Sequence, residues 1–325
     1  MPKFKVLVTR VPPGSALERL REECDVWMWE EDTTMPRALL LQKVRDAEGL
    51  HCIFLDGVNE ELLAAAPRLR AVSTYAAGME NIDLGACTTR GIPVGYTPGA
   101  VTEATADIAF GLMLAASRRL MEASRYVTAG KWRDWSPTTM IANDVFQKTL
   151  GIVGMGRIGQ AVARRARGFE MTILYHNRKP DPEAERKLGA SYRSLADLLA
   201  ESDIVMLAPP LTAETRHMIN DDALARMKPA SYLINVGRGP IVDSAALFRA
   251  LSEGKIRGAA LDVTEPEPIP PDHPLLTLDN CLIIPHIGTA TWETSSLMTE
   301  ISVTNLLRML GGEPPLHCAN PEVFA

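Results

Sequence analysis

The sequence predicts an α/β protein of two doubly wound, parallel-sheet domains. The first observation is length: at roughly 150 residues per domain, 325 residues make two domains or one large one. The second is composition. With 46% hydrophobic and 23% charged residues, the chain matches ordinary globular proteins, which excludes disorder, collagen and coiled coil as the main architecture. The third is pattern: short apolar runs alternate with helical stretches in two successive series, and that alternation means βαβ units and parallel sheets.

In chain order, residues 5–9 (KVLVT) read as a strand, followed by a Pro-Pro-Gly turn and a helical stretch from Ser15. Residues 51–55 (HCIFL) and 71–74 (AVST) are the next strands, with helical stretches between. A long helix is expected from Val101 to about Thr128. Residues 130–147 are polar, carry Trp132, Trp135 and Pro137, and show no period, so they read as a long loop or arm. The second series of strands is expected at residues 149–153, 172–175, 204–207, 231–236, 259–261 and 281–284, and a last helix from about Thr291 to Leu310.

The remaining composition narrows the function. Lys and Arg number 34 against 40 Asp and Glu, a net charge of −6, and no basic block argues for nucleic acid. The longest uncharged apolar stretch is about half of the roughly 20 residues that a membrane span needs. The start, MPKFKVLVTR, has charge within its apolar run and does not read as a signal peptide. Cys24, Cys52, Cys87, Cys281 and Cys318 are odd in number and widely spaced, with no CxxC or HExxH. They read as buried thiols of a reducing, cytoplasmic protein, with neither a disulfide framework nor a metal site.

The first chemical motif is Gly154-Met155-Gly156-Arg157-Ile158-Gly159. It follows the strand TLGIV and opens the helical run QAVARRARGF. The first glycine permits a tight turn, the second lets a pyrophosphate approach the backbone, and the third allows close helix–strand packing. The helix N-terminus attracts the phosphate charge. A ligand-free glycine turn is the plain alternative. Asp or Glu about 20 residues further on is the mark of NAD binding. Here the position 18 residues past Gly159 is Asn177, followed by Arg178 and Lys179. Asn177 can donate to a 2′-phosphate and Arg178 can clamp it. The turn therefore favours NADPH over NADH, with a solvated turn and NADH use as the alternative.

The second constellation is Arg238, Asp262, Glu267 and His286. Arg238 follows the strand YLINV, Asp262 follows GAAL, and His286 follows CLIIP, while Glu267 lies in the loop TEPEP. Ligands of open α/β sheets bind outside the carboxyl ends of the strands. Three strands thus bring Arg, Asp and His to the edge that carries the glycine turn. Hydride transfer on a keto acid needs these types: an Arg fork for the carboxylate, an imidazole for the carbonyl proton, and a carboxylate that fixes the imidazole tautomer. Singly, Arg238 could be a surface cation and His286 a satisfied core residue.

On these residues the chain resembles the NAD(P)-dependent D-2-hydroxyacid dehydrogenases, and within them the glyoxylate/hydroxypyruvate reductases. The resemblance runs from about Val6 to Pro315. It rests on GMGRIG at 154–159, NVGRG at 235–239, LDVTEPEP at 261–268 and PHIG at 285–288. It implies Arg238, Glu267 and His286 as the catalytic set. Glu265 and Glu267 could both fill the middle role, and the family's spacing of 29 after the Arg and 19 before the His selects Glu267. It also implies a flavodoxin-like substrate domain of residues 1–99 plus 291–325, a Rossmann-type dinucleotide domain of residues 100–290, and an active-site cleft between them. Ala77 and Gly78, in AAGMENID, would hold the substrate carboxylate together with Arg238, while His286 would meet the substrate at its carbonyl. Glu80 stands where the family usually has aspartate, keeping the charge.

The resemblance further implies cofactor contacts at Thr105, Gly154, Gly156, Arg157, Ile158, Gly159, Asn177, Arg178, Pro209, Thr215, Val236, Asp262 and Gly288. Asp262 matches the residue that bonds the carboxamide. An arm near residues 123–147 would make a homodimer and carry Trp135 into the partner's active site, a buried dimer-contact tryptophan being the alternative. Formate-type relatives have Gln where Glu267 stands and phosphite-type relatives have Lys where Ala77 stands. Phosphoglycerate-type relatives often carry a C-terminal regulatory domain, which is not expected here. An NAD(H)-sensing corepressor on the same fold is the alternative to an enzyme.

Overall fold

The computed structural model describes residues 3–324. The chain divides into two compact units, one of residues 1–101 plus 289–325 and one of residues 102–288. The boundaries fall two residues after and two residues before the positions expected from sequence.

The first unit starts with β1 (Lys5–Val8), α1 (Ala16–Glu23), β2 (Asp25–Met28), α2 (Arg37–Lys43), β3 (Gly49–Cys52) and α3 (Glu60–Ala65). It continues through β4 (Ala71–Thr74), α4 (Leu84–Thr89) and β5 (Val94–Gly95). Its sheet has the order β2-β1-β3-β4-β5, the flavodoxin-like order, and every pairing is parallel. Successive residues bury opposite faces. Leu7, Leu50 and Val72 pack with Leu40, Leu62 and Leu63, whereas Val6, Val8 and Ala71 pack with Leu17, Leu20 and Val303. Covering on both faces is why these strands read as unbroken apolar runs.

The second unit opens with α5 (Thr102–Ser117) and α6 (Leu120–Thr128), then β6 (Thr149–Val153), α7 (Arg157–Arg167), β7 (Thr172–His176), α8 (Pro182–Leu188) and β8 (Ser191–Tyr192). There follow α9 (Leu195–Glu201), β9 (Ile204–Leu207), α10 (Asp221–Arg226), β10 (Tyr232–Asn235), α11 (Ser244–Ser252), β11 (Gly258–Leu261) and β12 (Cys281–Ile283). Its parallel sheet runs β12-β11-β10-β9-β6-β7-β8. The strand order reverses between β6 and β9, and such a switch point opens a crevice at the strands' carboxyl ends. The chain then returns to the first unit in α12 (Trp292–Leu310), capped by the Thr291 side chain on Thr294 N.

Three expectations need correction. The strand expected at 51–55 is β3 at Gly49–Cys52. It ends early because Ile53 and Asp56 close a turn, with Asp56 N donating to Ile53 O at 3.0 Å and Ile53 N to Asp56 Oδ2 at 2.9 Å. The single helix expected from Val101 to Thr128 is two, broken at Arg119, whose φ is +52°. No glycine or proline marks that break. The Arg119 side chain fixes it instead, through Glu122 at 2.8 and 2.5 Å and the Ile141 carbonyl at 3.1 Å. The short edge strands β5 and β8 lack a continuous apolar run and are legible only from their partners, and β2, although residues 26–29 (VWMW) are apolar, is not among the expected strands.

The first unit also buries His51 completely. Its Nε2 pairs with Ser302 Oγ at 2.9 Å, and burial pushes its pKa down from 6.5 to about 4. Between those two pH values the unfolded chain binds a proton that the folded chain refuses, so stability falls as pH falls through that window. At about 1.4 kcal/mol per pH unit the full loss is about 3 kcal/mol. His51→Gln keeps a side-chain amide near the Ser302 hydroxyl. Urea unfolding at several pH values should show that this variant lacks His51's share of the acid loss. Equal pH dependence in the two proteins would refute the assignment.

Candidate active site

Register sets up the site. In the second unit Val153 pairs with Leu207, Leu207 with Asn235, Asn235 with Leu261 and Leu261 with Ile283. The loops that follow β6, β9, β10, β11 and β12 therefore leave one edge of the sheet.

The glycine turn is a cradle. Gly154 has φ +97°, and a Cβ there would lie 2.7 Å from Ala208 C and Pro209 N. A Cβ on Gly159 would lie 2.3 Å from Gly154 O. Both glycines are demanded by packing. Gly156 differs: a Cβ would meet nothing within 4 Å. It caps the N-terminus of α7 with no side-chain hydrogen bond, and Arg157 and Ile158 form the helix's first turn. A helix N-terminus with an open glycine face in front of it fits a pyrophosphate. Asn177 turns inward, its Oδ1 accepting from Met155 N at 2.8 Å. Sequence reasoning gave Asn177 only a donor's role and missed this brace of the glycine turn. An amide at the end of the strand beside the turn was the available signal. Arg178 is exposed at the same strand end.

The polar constellation comes together on the neighbouring loops. Arg238 lies after β10, in a loop closed by Gly237 N on Asn235 Oδ1 at 3.1 Å and Asn235 Nδ2 on the Arg238 carbonyl at 2.9 Å. Its Nη1 donates to Gly237 O at 2.8 Å. Gly239 is required because a Cβ there would sit 1.8 Å from Thr264 O. Asp262 is buried, with Oδ1 accepting from Ile287 N at 2.7 Å and Oδ2 from Gly288 N at 3.0 Å. Burial pushes the Asp262 carboxyl up, while the Ile287 N–H, the His286 ring and the Gly288 N–H hold it down. These bonds seat His286 in a left-handed turn of φ +52°, with its N–H on Asp262 O at 2.9 Å.

His286 Nδ1 meets Glu267 Oε1 at 2.5 Å, and Thr264 N donates to Glu267 Oε2 at 3.3 Å. Glu265 points elsewhere, to Arg216 at 2.8 Å and His217 at 2.6 Å. The carboxylate on the imidazole is thus Glu267. A carboxylate on Nδ1 orients the ring, as a proton donor acting through Nε2 requires. Thr105 is buried on α5, beneath Gly288. A Cβ at Gly288 would lie 2.7 Å from Asp262 Oδ2 and 3.5 Å from Thr105 Cγ2. Val236 is buried at the start of the Arg238 loop and Pro209 under the glycine turn. Thr215 folds the 208–220 loop on itself through Thr212 N at 2.8 Å and Pro210 O at 2.7 Å.

Comparison with known proteins decides the family. The family model described as "D-isomer specific 2-hydroxyacid dehydrogenase, NAD binding domain" matches residues 110–288. A glyoxylate reductase of Thermococcus kodakarensis is 48% identical, over 98% of this chain and 97% of its own. The chain belongs to the D-isomer-specific 2-hydroxyacid dehydrogenases. Two solved structures of similar proteins agree in fold. A glyoxylate reductase from Paecilomyes thermophila is 35% identical with a TM-score of 0.87, over 99% of this chain and 100% of that one. An NADPH-dependent glyoxylate/hydroxypyruvate reductase from Sinorhizobium meliloti, in complex with NADP and malonate, is 33% identical with a TM-score of 0.82, over 98% and 97%.

The chain is accordingly an NAD(P)-dependent D-2-hydroxyacid dehydrogenase, and its glycine turn fits the nicotinamide dinucleotide of that family. Ala77 and Gly78 belong to the dehydrogenase's first unit, in the loop between β4 and α4. That loop is braced by Asn81, whose Nδ2 donates to Ile53 O at 3.1 Å and Asp56 O at 2.6 Å. Trp135 lies in the arm after α6, 76% exposed. Among the described residues no helix is long and apolar enough to cross a membrane.

Proposed function

We propose that this dehydrogenase reduces a small 2-keto acid, glyoxylate or hydroxypyruvate, to the D-2-hydroxy acid, with NADPH preferred and NADH accepted more weakly. The observation that carries the reading is the Glu267–His286 pair, on the sheet edge that also bears Arg238 and the glycine turn. The similar reductases named above support the substrate class. When bound, the nicotinamide supplies the hydride. Arg238 offers its guanidinium fork to the substrate carboxylate, aided by the N–H groups of Ala77 and Gly78. His286 gives its Nε2 proton to the carbonyl oxygen, and Glu267 stabilises the imidazolium. Residues 1–99 and 291–325 act as the substrate domain and residues 100–290 as the dinucleotide domain. Asp262, beyond seating the His286 turn, receives the carboxamide, with Thr105, Pro209, Thr215, Val236 and Gly288 around it.

The dehydrogenase acts as a cytoplasmic homodimer in this reading. Among its described residues α6 buries none, and Leu120, Met121, Val127, Trp132, Trp135, Ile141 and Phe146 are exposed on α6 and the arm. A second copy covers them, and Trp135 reaches the partner's substrate. Sedimentation equilibrium should report a dimer. The deciding test of the function is loss of NADPH absorbance when glyoxylate or hydroxypyruvate is added. Dinucleotide binding without turnover would instead favour an NAD(H)-sensing protein.

The two neighbouring carboxylates give a further prediction. Glu267 is the one bonded to the ring, so Glu267→Gln, which loses the carboxylate that orients the imidazole, should lower kcat with the Kd for NADPH little changed. Glu265→Gln should lower kcat far less. The reverse pattern would make Glu265 the partner in solution.

A further inference from the structure

Glu265 has no part in the reaction described above, yet it is one of the most connected groups at the site. Oε1 accepts from Arg216 Nη1 at 2.8 Å and Oε2 from His217 Nε2 at 2.6 Å. Its carbonyl accepts from Ser244 Oγ at 3.1 Å. Arg216 and His217 follow Thr215 directly in the 208–220 loop. His217 is held at φ +50°, a region that costs a residue other than glycine about 1 kcal/mol or more and persists only where the surroundings over-determine it. Two contacts do so here: the Glu265 carboxylate, and the His217 N–H bond to Pro240 O at 2.8 Å. Pro240 lies two residues beyond Arg238. The segment at 215–217 is therefore joined both to the loop that carries Glu267 and to the loop that carries Arg238.

We propose that Glu265 is a positioning residue, whose carboxylate ties the 208–220 loop to the loop that presents Glu267 so that one anchor sets dinucleotide affinity. The proposal rests on the reading of Pro209 and Thr215 as cofactor contacts. Freed from Glu265, the 208–220 loop must be ordered at the expense of dinucleotide binding, and the loss appears in affinity. The chemical step changes little, because Glu267 keeps its own bonds to His286 and Thr264 N.

The partners are half exposed, Arg216 at 51%, His217 at 44% and Glu265 at 31%, so each ion pair is modest. Glu265→Gln should raise the Kd and KM for NADPH about 3- to 10-fold, while kcat falls less than about threefold. His217→Ala should reproduce the loss, and His217→Gln, which keeps a nitrogen donor near Glu265, should restore most of it. Glu265→Gln combined with His217→Ala should lose no more than the worse single variant.

The readout is a fluorescence titration with NADPH alone, which needs no turnover. A Kd within twofold of the unmutated chain in Glu265→Gln, or equal losses in His217→Ala and His217→Gln, would overturn the proposal. Should Glu265→Gln fail to fold, the exposed His217 pair of variants carries the test. A chain that binds NADPH but reduces no keto acid overturns the proposed function and leaves this test standing. A chain that binds no dinucleotide overturns both.

Discussion

Replacing His286 with alanine is expected to lower kcat by about 10²–10⁴-fold, the range a general acid contributes, with NADPH affinity nearly unchanged. The prediction follows from how the ring is held. Nδ1 is taken by Glu267, so the imidazole is fixed in one orientation and Nε2 is the nitrogen that the proposed reaction uses. The backbone of the turn does not depend on the ring, since it hangs on His286 N–H to Asp262 O and on Asp262 to the N–H groups of Ile287 and Gly288. The turn at φ +52° adds a complication, because alanine is less at ease there than asparagine. His286→Asn is therefore the control: it suits the left-handed backbone and still lacks a group that can donate the proton. Both variants should lose kcat alike while titrating with NADPH like the unmutated chain. A wild-type-like kcat in His286→Asn would show that another group is the acid.

Why that site could be read from sequence, and where reading stopped, has a physical basis. The glycine turn, Arg238, Asp262 and His286 each sit directly after an apolar run of a parallel strand. Parallel topology sends all such ends to one edge, so local pattern alone assembled them. Glu267 was harder, because it lies in a loop where Glu265 has the same chemistry two residues away. The family's spacing chose between them, and Glu267 is the carboxylate that lies 2.5 Å from His286 Nδ1. What stayed hidden depends on contacts distant in sequence. The break at Arg119 is set by Ile141 and Glu122, and the bond of Asn177 to Met155 N spans two strand ends. The Arg216–Glu265–His217 cluster joins residues almost fifty apart. The early end of β3 is a local matter instead: Phe54 and Leu55 look like strand, yet Asp56, three residues on from Ile53, folds back on Ile53 N.

Cofactor choice supplies the second large effect. A 2′-phosphate adds about two negative charges at neutral pH, and a charge-assisted bond to a guanidinium is worth about 1.5–3 kcal/mol, or roughly 10- to 150-fold in affinity. The strand end after β7 offers Arg178 and no carboxylate at Asn177. The upper end of that range is out of reach, because Arg178 is exposed and already within electrostatic reach of Glu214. NADPH should therefore exceed NADH by at least about tenfold in kcat/KM, but not by the full 150-fold. Asn177→Asp together with Arg178→Ala should erase or invert the preference, chiefly through the KM for NADPH. This double variant isolates charge from structure. An aspartate oxygen can still accept the Met155 N–H that Asn177 Oδ1 accepts now at 2.8 Å, so the glycine turn keeps its brace and kcat with NADH should hold. The preference should also weaken as salt is added, since an exposed contact is screened over about 8–10 Å at ordinary ionic strength. Equal kcat/KM for the two cofactors in the unmutated enzyme would mean that Arg178 is spent on Glu214 and solvent, and that neither His176 nor Lys179 replaces it.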